Sequence, residues 1–588
     1  MELLVIAVLA LLAIAGAAAI GPRLGVASPL LLVLVGIGVS LLPEVPPFEV
    51  DPEWIIAGVL PPLLYSAAVS MPTMEFRRDF TAISGLSVVL VVITSVLLGL
   101  LFTWLIPDLG LAMGIALGAI LSPTDAVATS IVKRLGVSPR VSAMLDGESL
   151  LNDASALVLL RAAIAGAAAS VSLWGVVGTF VYSVAVAGVI GAIVGWLNLR
   201  LRARVSNPTV NTVISFTMPF IASIPAEQLG ASGLVAAVGA GLITGRGAAR
   251  FLSPQHRLSD AQTWRTIELV LEGAVFLVMG LELSGIVDEV ERAHEGVWAA
   301  VRIAAIAFVA ALLIRAAYVA PLLAALGRRA RRGAAFKQAL VDRAGTSLPL
   351  PPSRMPAPSP AQAERFRTML RRRVADIDYY LDDSLGWREG AIVVWAGMRG
   401  VVTLAAAQTL PADTPSRSML VLIAFVVAVG SLLVQGGTLP WLVRWLLPVR
   451  DPGATVAERN ELKKVMRAAA FDELDDDDSL DPLLRTTAER MRAAWLTSAD
   501  EGAGEEDAAE DSGTKRAADA PWPGHGTSDR LIDAEQVRLL RLRMIHAERD
   551  ALLDARDEGL FSAAALGAAL EELDAEQISI DLKGPAVE

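Results

Sequence analysis

Apolar residues fall in blocks of about 20 along the first 446 residues, and this pattern restricts the possible folds more than any other feature. A helix of that length crosses the roughly 30 Å hydrocarbon core of a membrane. Of the 588 residues, 54% are hydrophobic and 19% are charged, whereas soluble domains average about 25% charged residues. The pattern predicts a multi-span, all-α membrane protein and excludes an ordinary cytosolic enzyme. The absence of cysteine excludes a disulfide-stapled domain and a thiol-ligated metal site.

Thirteen membrane spans are predicted where apolar blocks end at charged residues or at Pro and Gly. Only Glu227 and Gln228 interrupt the apolar sequence between the eighth and ninth spans. No basic residue precedes the first span, so we expect it to be retained and not cleaved as a signal peptide. The predicted limits are 3–20, 26–43, 53–70, 82–106, 111–133, 142–168, 172–198, 209–227, 229–245, 264–286, 296–325, 389–410 and 418–446.

Basic residues alternate between the connections of these spans. The odd-numbered connections carry 26 Lys and Arg residues, and the even-numbered ones carry only Arg292 and Arg417. Such alternation is the result of the positive-inside rule. We therefore expect the N-terminus outside, and the loop at about 326–388 and the C-terminal tail in the cytoplasm. The high Ala and Arg content with little Lys favours a bacterial cell membrane.

The net charge of the chain changes sign after Arg450. Residues 451–588 contain 33 acidic and 16 basic side chains, a net charge of −17, which leaves +5 for the rest of the chain. We predict a transmembrane exchanger domain over 1–450 and an acidic cytoplasmic tail over 451–588.

The cytoplasmic loop and the tail each contain segments predicted to be helical and segments predicted to be extended or disordered. Prolines at 351–360 favour extended chain, and Arg371–Arg373 follow on a predicted short helix near anionic lipid headgroups. In the tail, a stretch near 500–528 is rich in Gly, Glu, Asp and Ala and is predicted to be disordered. Leu, Ile and Met at helical spacing predict two helices over about 529–575. No phosphate loop or dinucleotide fingerprint occurs, so no cofactor is predicted.

Polar side chains inside the fifth and sixth spans indicate a candidate site, because such groups are costly in lipid. Pro123 disfavours helix at the preceding residue and frees carbonyls, among them that of Thr124. In the sixth span, Ser149 shares a helical face with Asn152 or Asp153. Oxygen ligands of this kind suit Na⁺, Li⁺ or K⁺. The groups concerned are Ser122, Pro123, Thr124 and Asp125, then Glu148, Ser149, Asn152 and Asp153.

A cation and a proton would compete for the same buried carboxylate, and that mutual exclusion is the chemistry of ion exchange. Because the only span-adjacent lysine is Lys133 and no histidine lies in a span, a proton carrier would have to be a carboxylate. The alternative is that these polar groups only bond neighbouring helices.

A second broken helix is predicted in the twelfth span, where Gly397 and Gly400 flank Arg399. Broken helices in corresponding positions of two halves are typical of transporters with inverted repeats. The expected fold is therefore about 13 transmembrane helices with inverted repeats and two broken crossing helices, followed by a soluble tail. Arg302 and Arg315 lie towards span ends, where we expect their side chains to extend towards the membrane surface.

The motifs SPTDAVA (122–128), GESLLNDASA (147–156) and AGMRGVVTLAAA (396–407) resemble those of the NhaP-type sodium/proton antiporters in the cation:proton antiporter 1 family. LPPLLYSAA (60–68) and LEGAVFLVMG (271–280) extend the resemblance. It implies thirteen helices, a homodimer, and a core domain that moves against a dimerisation domain in alternating access.

The resemblance also implies roles for individual residues. Asp153 would be the main carboxylate that binds the ion and the proton. Asp125, Ser149 and the Thr124 carbonyl would be further ligands of the transported Na⁺, and Asn152 would steady the site. Electrogenic relatives carry Asp where this chain carries Asn152, so the resemblance implies electroneutral one-for-one exchange.

Three further positions are implied by the same resemblance. Glu148 would pair with Arg399, and Glu272 matches a family glutamate for which we expect a structural role. Several family members carry Glu in the third span where this chain has Ser66. The missing carboxylate leaves the preference between Na⁺ and K⁺ open.

The predicted function is therefore Na⁺ (or Li⁺) exchange for H⁺ in sodium and pH homeostasis, without enzymatic activity. A K⁺/H⁺ antiporter of the same fold is the main alternative. An intramembrane aspartyl protease also needs two membrane carboxylates, but its Gly-x-Gly-Asp motif is absent. A passive channel would need a repeated filter element, which the chain lacks. The expected partners are the transported ions, membrane lipid and a second copy of the chain, and not nucleic acid.

Overall fold

The computed structural model divides into two compact units, Met1–Arg450 and Asp451–Glu588. Every regular element in its described part is a helix. The described residues are 2–43, 45, 50–168, 173–344, 369, 372–381, 385–447, 452–475, 492 and 530–583.

The first unit contains the helices α1 to α18. Three of them, α3, α5 and α18, include a π-helical turn, and the turns in α3 and α18 lie near a proline. The bounds are α1 (Glu2–Leu24), α2 (Ser28–Ser40), α3 (Trp54–Ser70), α4 (Thr73–Arg78), α5 (Phe80–Leu105), α6 (Leu111–Ile120), α7 (Val127–Arg134), α8 (Pro139–Ala168), α9 (Leu173–Arg202), α10 (Pro208–Gln228), α11 (Gly233–Phe251), α12 (Pro254–Leu281), α13 (Leu283–Arg292), α14 (Val297–Ala344), α15 (372–381), α16 (Trp387–Trp395), α17 (Val401–Gln408) and α18 (Arg417–Leu446).

Each of the thirteen predicted spans coincides with one of these helices or with a pair of short helices. Eight helices in the described ranges are long and apolar enough to cross a membrane, and α2, α3 and α6 are shorter apolar helices. The eighth and ninth spans are separate, because α10 ends at Gln228 and Gly230 turns the chain with a φ of 71° before Gly233. The predicted all-α polytopic fold is confirmed.

Two helices extend far beyond the predicted spans, those of the tenth and eleventh. The helix of the tenth span begins at Pro254, before the predicted span limit at 264, because the Ser253 hydroxyl accepts the N–H of His256 and caps the helix. The helix of the eleventh span continues to Ala344, so the basic run Arg328–Arg332 is helical and does not begin a loop. Ala, Leu and Arg, which favour helix, dominate this extension.

The predicted short helix of the loop corresponds to α15, whose described residues include Arg372 and Arg373. Arg371 and the predicted extended stretch at 351–360 lie outside the described residues.

Buried apolar side chains of the first unit form a large cluster and a smaller one. The smaller cluster joins α3, α9, α10, α11 and α12 through Tyr65, Ala187, Met218, Ala237 and Trp264. Small residues let the helix backbones approach closely: a Cβ atom added to Gly36 would lie only 2.4 Å from the carbonyl oxygen of Leu277. Packing of this kind suits helices surrounded by lipid.

The second unit contains α19 (Pro452–Asp475), α20 (Arg530–Glu558) and α21 (Ala563–Lys583). The last two confirm the helices predicted at 529–575. Phe471, Leu540 and Met544 form the buried contact between α19 and α20, and Arg541 pairs with both carboxylate oxygens of Glu576 at 2.7 Å. The stretch at 500–528, predicted to be disordered, lies outside the described residues.

Candidate functional site

Two interrupted helices meet in the middle of the first unit. The break between α6 and α7 contains Pro123, and the break between α16 and α17 contains Gly397 and Gly400. The breaks contact each other directly, since the N–H of Asp125 donates to the carbonyl of Met398 at 2.7 Å. Gly400 is required at this contact: a Cβ atom there would lie 1.5 Å from Oδ2 of Asp125. Both predicted broken helices are therefore present, and they are in contact.

The half-buried carboxylate of Asp125 lies at the N-terminal ends of two half-helices. It accepts the N–H of Val127 in α7 at 2.9 Å and the N–H of Val401 in α17. Helix N-termini carry partial positive charge and unsatisfied N–H groups, so they stabilise an anion at this position. The partial positive charges of the two helix N-termini thus compensate the negative charge of Asp125.

The guanidinium of Arg399 lies at the opposite, C-terminal ends. Its Nε donates to the carbonyl of Leu121 after α6 at 2.9 Å, and its Nη1 donates to the carbonyl of Gly397 after α16. The backbone N–H of Arg399 also donates to the Ser431 hydroxyl at 2.9 Å. Helix C-termini carry partial negative charge, so a buried cation is stabilised there without a carboxylate.

The expected pairing of Glu148 with Arg399 is wrong. Glu148 pairs with Arg315 of α14, whose two terminal nitrogens each meet one carboxylate oxygen, the longer contact being 2.8 Å. Arg315 also donates to the Val393 carbonyl at 3.0 Å and is only 2% exposed, so its expected extension to the membrane surface is wrong as well. Gly397 makes room for it, since a Cβ there would lie 2.6 Å from its Cδ atom.

Thr124 and Asn152 link this ion pair to the break. The Asn152 amide donates to the Thr124 carbonyl at 3.1 Å and to its hydroxyl oxygen at 2.8 Å. The Thr124 hydroxyl donates to Glu148 at 3.1 Å. Asn152 Oδ1 is buried and meets no donor among the described residues. Asn152 therefore occupies one of the two lone pairs of the Thr124 carbonyl, and the second lone pair can accept from or coordinate a ligand.

Asp153 lies beside Asn152 on α8 and is 7% exposed. Within the described part of the chain, no donor bonds its carboxylate, and the neighbouring charge that acts on it is that of Asp125. Ser149, one turn earlier and half-buried, donates its hydroxyl to the Asp146 carbonyl at 3.1 Å. The structure thus brings Asp125 and Asp153 close enough to interact electrostatically, with Ser149 on the same helix as Asp153.

Ser66 and Glu272 lie on α3 and α12. The buried Ser66 hydroxyl bonds the carboxylate of Glu268, one turn before Glu272, and Glu272 interacts electrostatically with both Glu268 and Asp125. Glu268 is the residue that the sequence reasoning did not assign to the site. The available signal was its acidic character inside a predicted span, four residues from Glu272.

Comparison with known proteins identifies the family of the membrane unit. The family model described as the transmembrane sodium/hydrogen exchanger matches residues 7–445. An uncharacterized Na⁺/H⁺ exchanger of Escherichia coli is 40% identical over 250 residues, covering 41% of this chain and 45% of that protein. An uncharacterized Na⁺/H⁺ exchanger of Mycobacterium tuberculosis is 28% identical over 589 aligned residues, covering 98% of this chain and 96% of that protein.

The fold is also similar to a solved structure. The sodium proton antiporter MjNhaP1 from Methanocaldococcus jannaschii aligns with a TM-score of 0.55 and 17% sequence identity, covering 76% of this chain and all of that one. At this identity the similarity establishes the fold. Because the family model spans nearly the whole membrane unit and the broken-helix fold agrees with it, the chain belongs to the sodium/hydrogen exchanger family of membrane transporters.

Proposed function

We propose that the protein exchanges one Na⁺ or Li⁺ for one H⁺ across the cell membrane by alternating access. The proposal depends above all on one observation, the unpaired Asp153 carboxylate beside Asp125. Asp125 is compensated by two helix N-termini, Arg399 by two helix C-termini, and Glu148 by Arg315. Asp153 has no such partner in the described part of the chain.

A buried, uncompensated carboxylate must acquire a positive charge. A proton or a monovalent cation meets that need, and each excludes the other because one negative charge remains to be neutralised. Exchange then proceeds one for one, and no net charge crosses the membrane in a complete cycle. The same charge balance supports the electroneutral stoichiometry.

The ligands proposed for the cation are the carboxylates of Asp153 and Asp125, the Ser149 hydroxyl and the Thr124 carbonyl. All four donate oxygen, which suits hard monovalent cations. Asn152 supports the site by donating a hydrogen bond to the Thr124 carbonyl, and its neutral amide adds no charge to the site. Glu148 and Arg315 hold α8 against α14, so they position the site.

The two interrupted helices that meet at the site support alternating access, in which the part of the chain that contains them moves against the rest. The excess of basic residues in odd-numbered connections supports a cytoplasmic position for the tail, 451–588. A homodimer in the cell membrane completes the proposal.

The test is cation-dependent proton flux in proteoliposomes, with Na⁺, Li⁺ and K⁺ added separately. We expect Na⁺ and Li⁺ to drive flux, Asp153→Asn to abolish it, and the matched change Asp288→Asn, at a half-exposed carboxylate on α13, to leave it intact. A larger response to K⁺ would identify a K⁺/H⁺ antiporter, in agreement with Ser66 in place of a carboxylate. Wild-type flux in Asp153→Asn would refute the assigned site.

A further inference from the structure

The short helix α15 of the loop packs against the corner at which α4 joins α5. This corner consists of Arg78, the last residue of α4, and Asp79, which separates the two helices, and both side chains are buried. Asp376, Tyr379 and Tyr380 of α15 are spaced by three and four residues, so they lie on one face of the helix. The proposed exchange cycle uses none of these five residues.

All three side chains on that face bond the corner. Asp376 Oδ1 accepts from Arg78 Nε at 2.6 Å. The Tyr379 hydroxyl donates to Asp79 Oδ2 at 3.1 Å, and its ring centre lies 4.7 Å from the guanidinium carbon of Arg78. The Tyr380 hydroxyl donates to the Arg78 carbonyl at 2.6 Å. Because they include a hydrogen bond between charged groups and a cation over an aromatic ring, these contacts fix the corner to α15.

Arg140 fixes the start of α8 to the same corner. It is the second residue of α8 and is 2% exposed. Its Nε lies 3.1 Å from Asp79 Oδ2 and its Nη2 lies 3.0 Å from Asp79 Oδ1, so both oxygens of the carboxylate are bound. Its guanidinium carbon also lies 4.7 Å from the ring centre of Tyr380. The helix that carries Asp153 thus begins in contact with both the corner and α15.

The other side of α15 contacts α14. A Cβ atom added to Gly333 of α14 would lie 3.8 Å from the Cβ atom of Ile377. One turn further along α14, Lys337 forms an ion pair with Asp378. The same helix carries Arg315, which pairs with α8. α15 therefore bridges the corner, α8 and α14, which are far apart in sequence.

α4 is the chain connection between two closely packed groups of helices. Before it, α3 packs on α11, where a Cβ atom added to Gly245 would lie 2.3 Å from the Val69 carbonyl oxygen. After it, α5 packs on α6, the first half of a broken helix, where a Cβ atom added to Gly118 would lie 2.3 Å from the Ser95 carbonyl oxygen. Between α3 and α4 the backbone is extended at residues 71–72, with ψ angles of 131° and 98°. A movement of one group against the other can therefore turn the chain at residues 71–72, while α15 holds the corner.

We propose that α15 is a clasp that joins the α4–α5 corner, α8 and α14 into one body, which moves as a unit with the broken helices during transport. This inference rests on the proposed exchange function. Because every helix that α15 bonds belongs to that body, α15 stays docked throughout the cycle. Loss of the clasp lets α8 and α14 move separately from the corner. The maximal rate then falls, whereas the cation concentration for half-maximal rate stays the same, since no proposed cation ligand is touched.

The test uses a disulfide that can be formed and reduced in the same protein. The chain contains no cysteine, and the 3.8 Å between the two Cβ positions is the mean separation in disulfides, so Gly333→Cys with Ile377→Cys can tie α15 to α14. The clasp is weakened by Asp376→Asn with Tyr379→Phe, which removes two bonds to the corner. Asp378→Asn, at a half-exposed ion pair away from the corner, is the matched control. The measurement is cation-dependent proton flux in proteoliposomes as a function of cation concentration.

We expect the maximal rate of the weakened protein to fall about fivefold, the effect of losing one buried hydrogen bond, with no change in the cation concentration for half-maximal rate. Formation of the disulfide in the weakened protein should restore the rate, because it returns α15 to the corner. The cysteine pair in the otherwise unaltered chain should transport equally well oxidised and reduced. Asp378→Asn should transport like the wild type.

Several results would overturn the clasp. If the disulfide stops transport in the otherwise unaltered chain and reduction restores it, α15 must leave the corner during the cycle. An unchanged rate in the weakened protein, or a loss that the disulfide does not restore, would contradict the proposal as well. A cysteine pair that does not oxidise would contradict the docking of α15 on α14.

A second measurement separates the clasp from the proposed function. If the wild type transports no cation, the proposed function fails, and hydrogen exchange of residues 73–84 then decides on the clasp. Protection of this segment should fall in the weakened protein and return with the disulfide. Equal protection in all the proteins would overturn the clasp.

Discussion

Removal of one partner from the Glu148–Arg315 ion pair should strongly destabilise the membrane unit. Both side chains are 2% exposed, and two nitrogens of the guanidinium meet two oxygens of the carboxylate. In Arg315→Met, the Glu148 carboxylate would keep, among the described residues, the Thr124 hydroxyl as its donor. An uncompensated buried charge of this kind costs about 3–5 kcal/mol.

A double-mutant cycle separates the pair from its surroundings. We expect Glu148→Gln and Arg315→Met to be coupled by about 2–3 kcal/mol, because the double variant leaves no buried charge at either position. The same cycle with Arg399→Met should give less than about 1 kcal/mol, since Arg399 is held by the carbonyls of Leu121 and Gly397. The two arginines thus serve as controls for each other.

The measurement is the free energy of unfolding of the purified protein in mixed micelles, followed by tryptophan fluorescence as the fraction of denaturing detergent rises. Stronger coupling of Glu148 to Arg399 than to Arg315 would refute the arrangement described. So would a cost of less than about 1 kcal/mol for Arg315→Met, because it would mean that the pair is hydrated.

Three further changes test other parts of the molecule. Gly400→Ala should abolish exchange, because its Cβ would overlap the Asp125 carboxylate, whereas Gly430→Ala, with open space around it, should leave the flux unchanged in everted vesicles. Asn152→Asp should lower the exchange rate about tenfold or more, since two donated hydrogen bonds become repulsions between oxygens; an unchanged rate in proteoliposomes would contradict this role. Burial raises the pKa of the Glu548 carboxyl in the tail, so the folded tail loses stability as pH rises through that pKa. Glu548→Gln should therefore increase hydrogen-exchange protection of α20 at neutral pH and have no effect near about pH 4; reduced protection at neutral pH would show that the ion pair with Arg541 dominates.

The spans and the two breaks could be predicted because they depend on short stretches of chain. Lipid provides no hydrogen-bond partners, so each crossing must be a helix of apolar residues, and this requirement is visible in any window of about 20 residues. The breaks depend on Pro123, Gly397 and Gly400, whose backbone properties are local. The candidate carboxylates Asp125 and Asp153 were found in the same way, as charges inside apolar segments.

A helix boundary and one residue contact could not be predicted from short stretches of chain. The helix of the tenth span begins at Pro254 because a serine caps it, although the hydropathy rises only later. His256 therefore lies on this helix, whereas the apolar pattern predicts a connection at its position. Glu268 lies beside Ser66 because α12 packs against α3, a contact between elements that are distant in sequence.

The sequence by itself determined the membrane environment, the helices and the acidic residues that they carry, since these follow from apolar length, composition and local backbone preference. Only the tertiary structure decided which charges are compensated. Glu148 had two arginines available, Arg315 and Arg399, and both are distant from it in sequence. Arg399 is satisfied by carbonyls at two helix ends, which leaves Arg315 to Glu148 and no partner, among the described residues, for Asp153. Charge compensation depends on distance in space, which spacing along the chain does not determine.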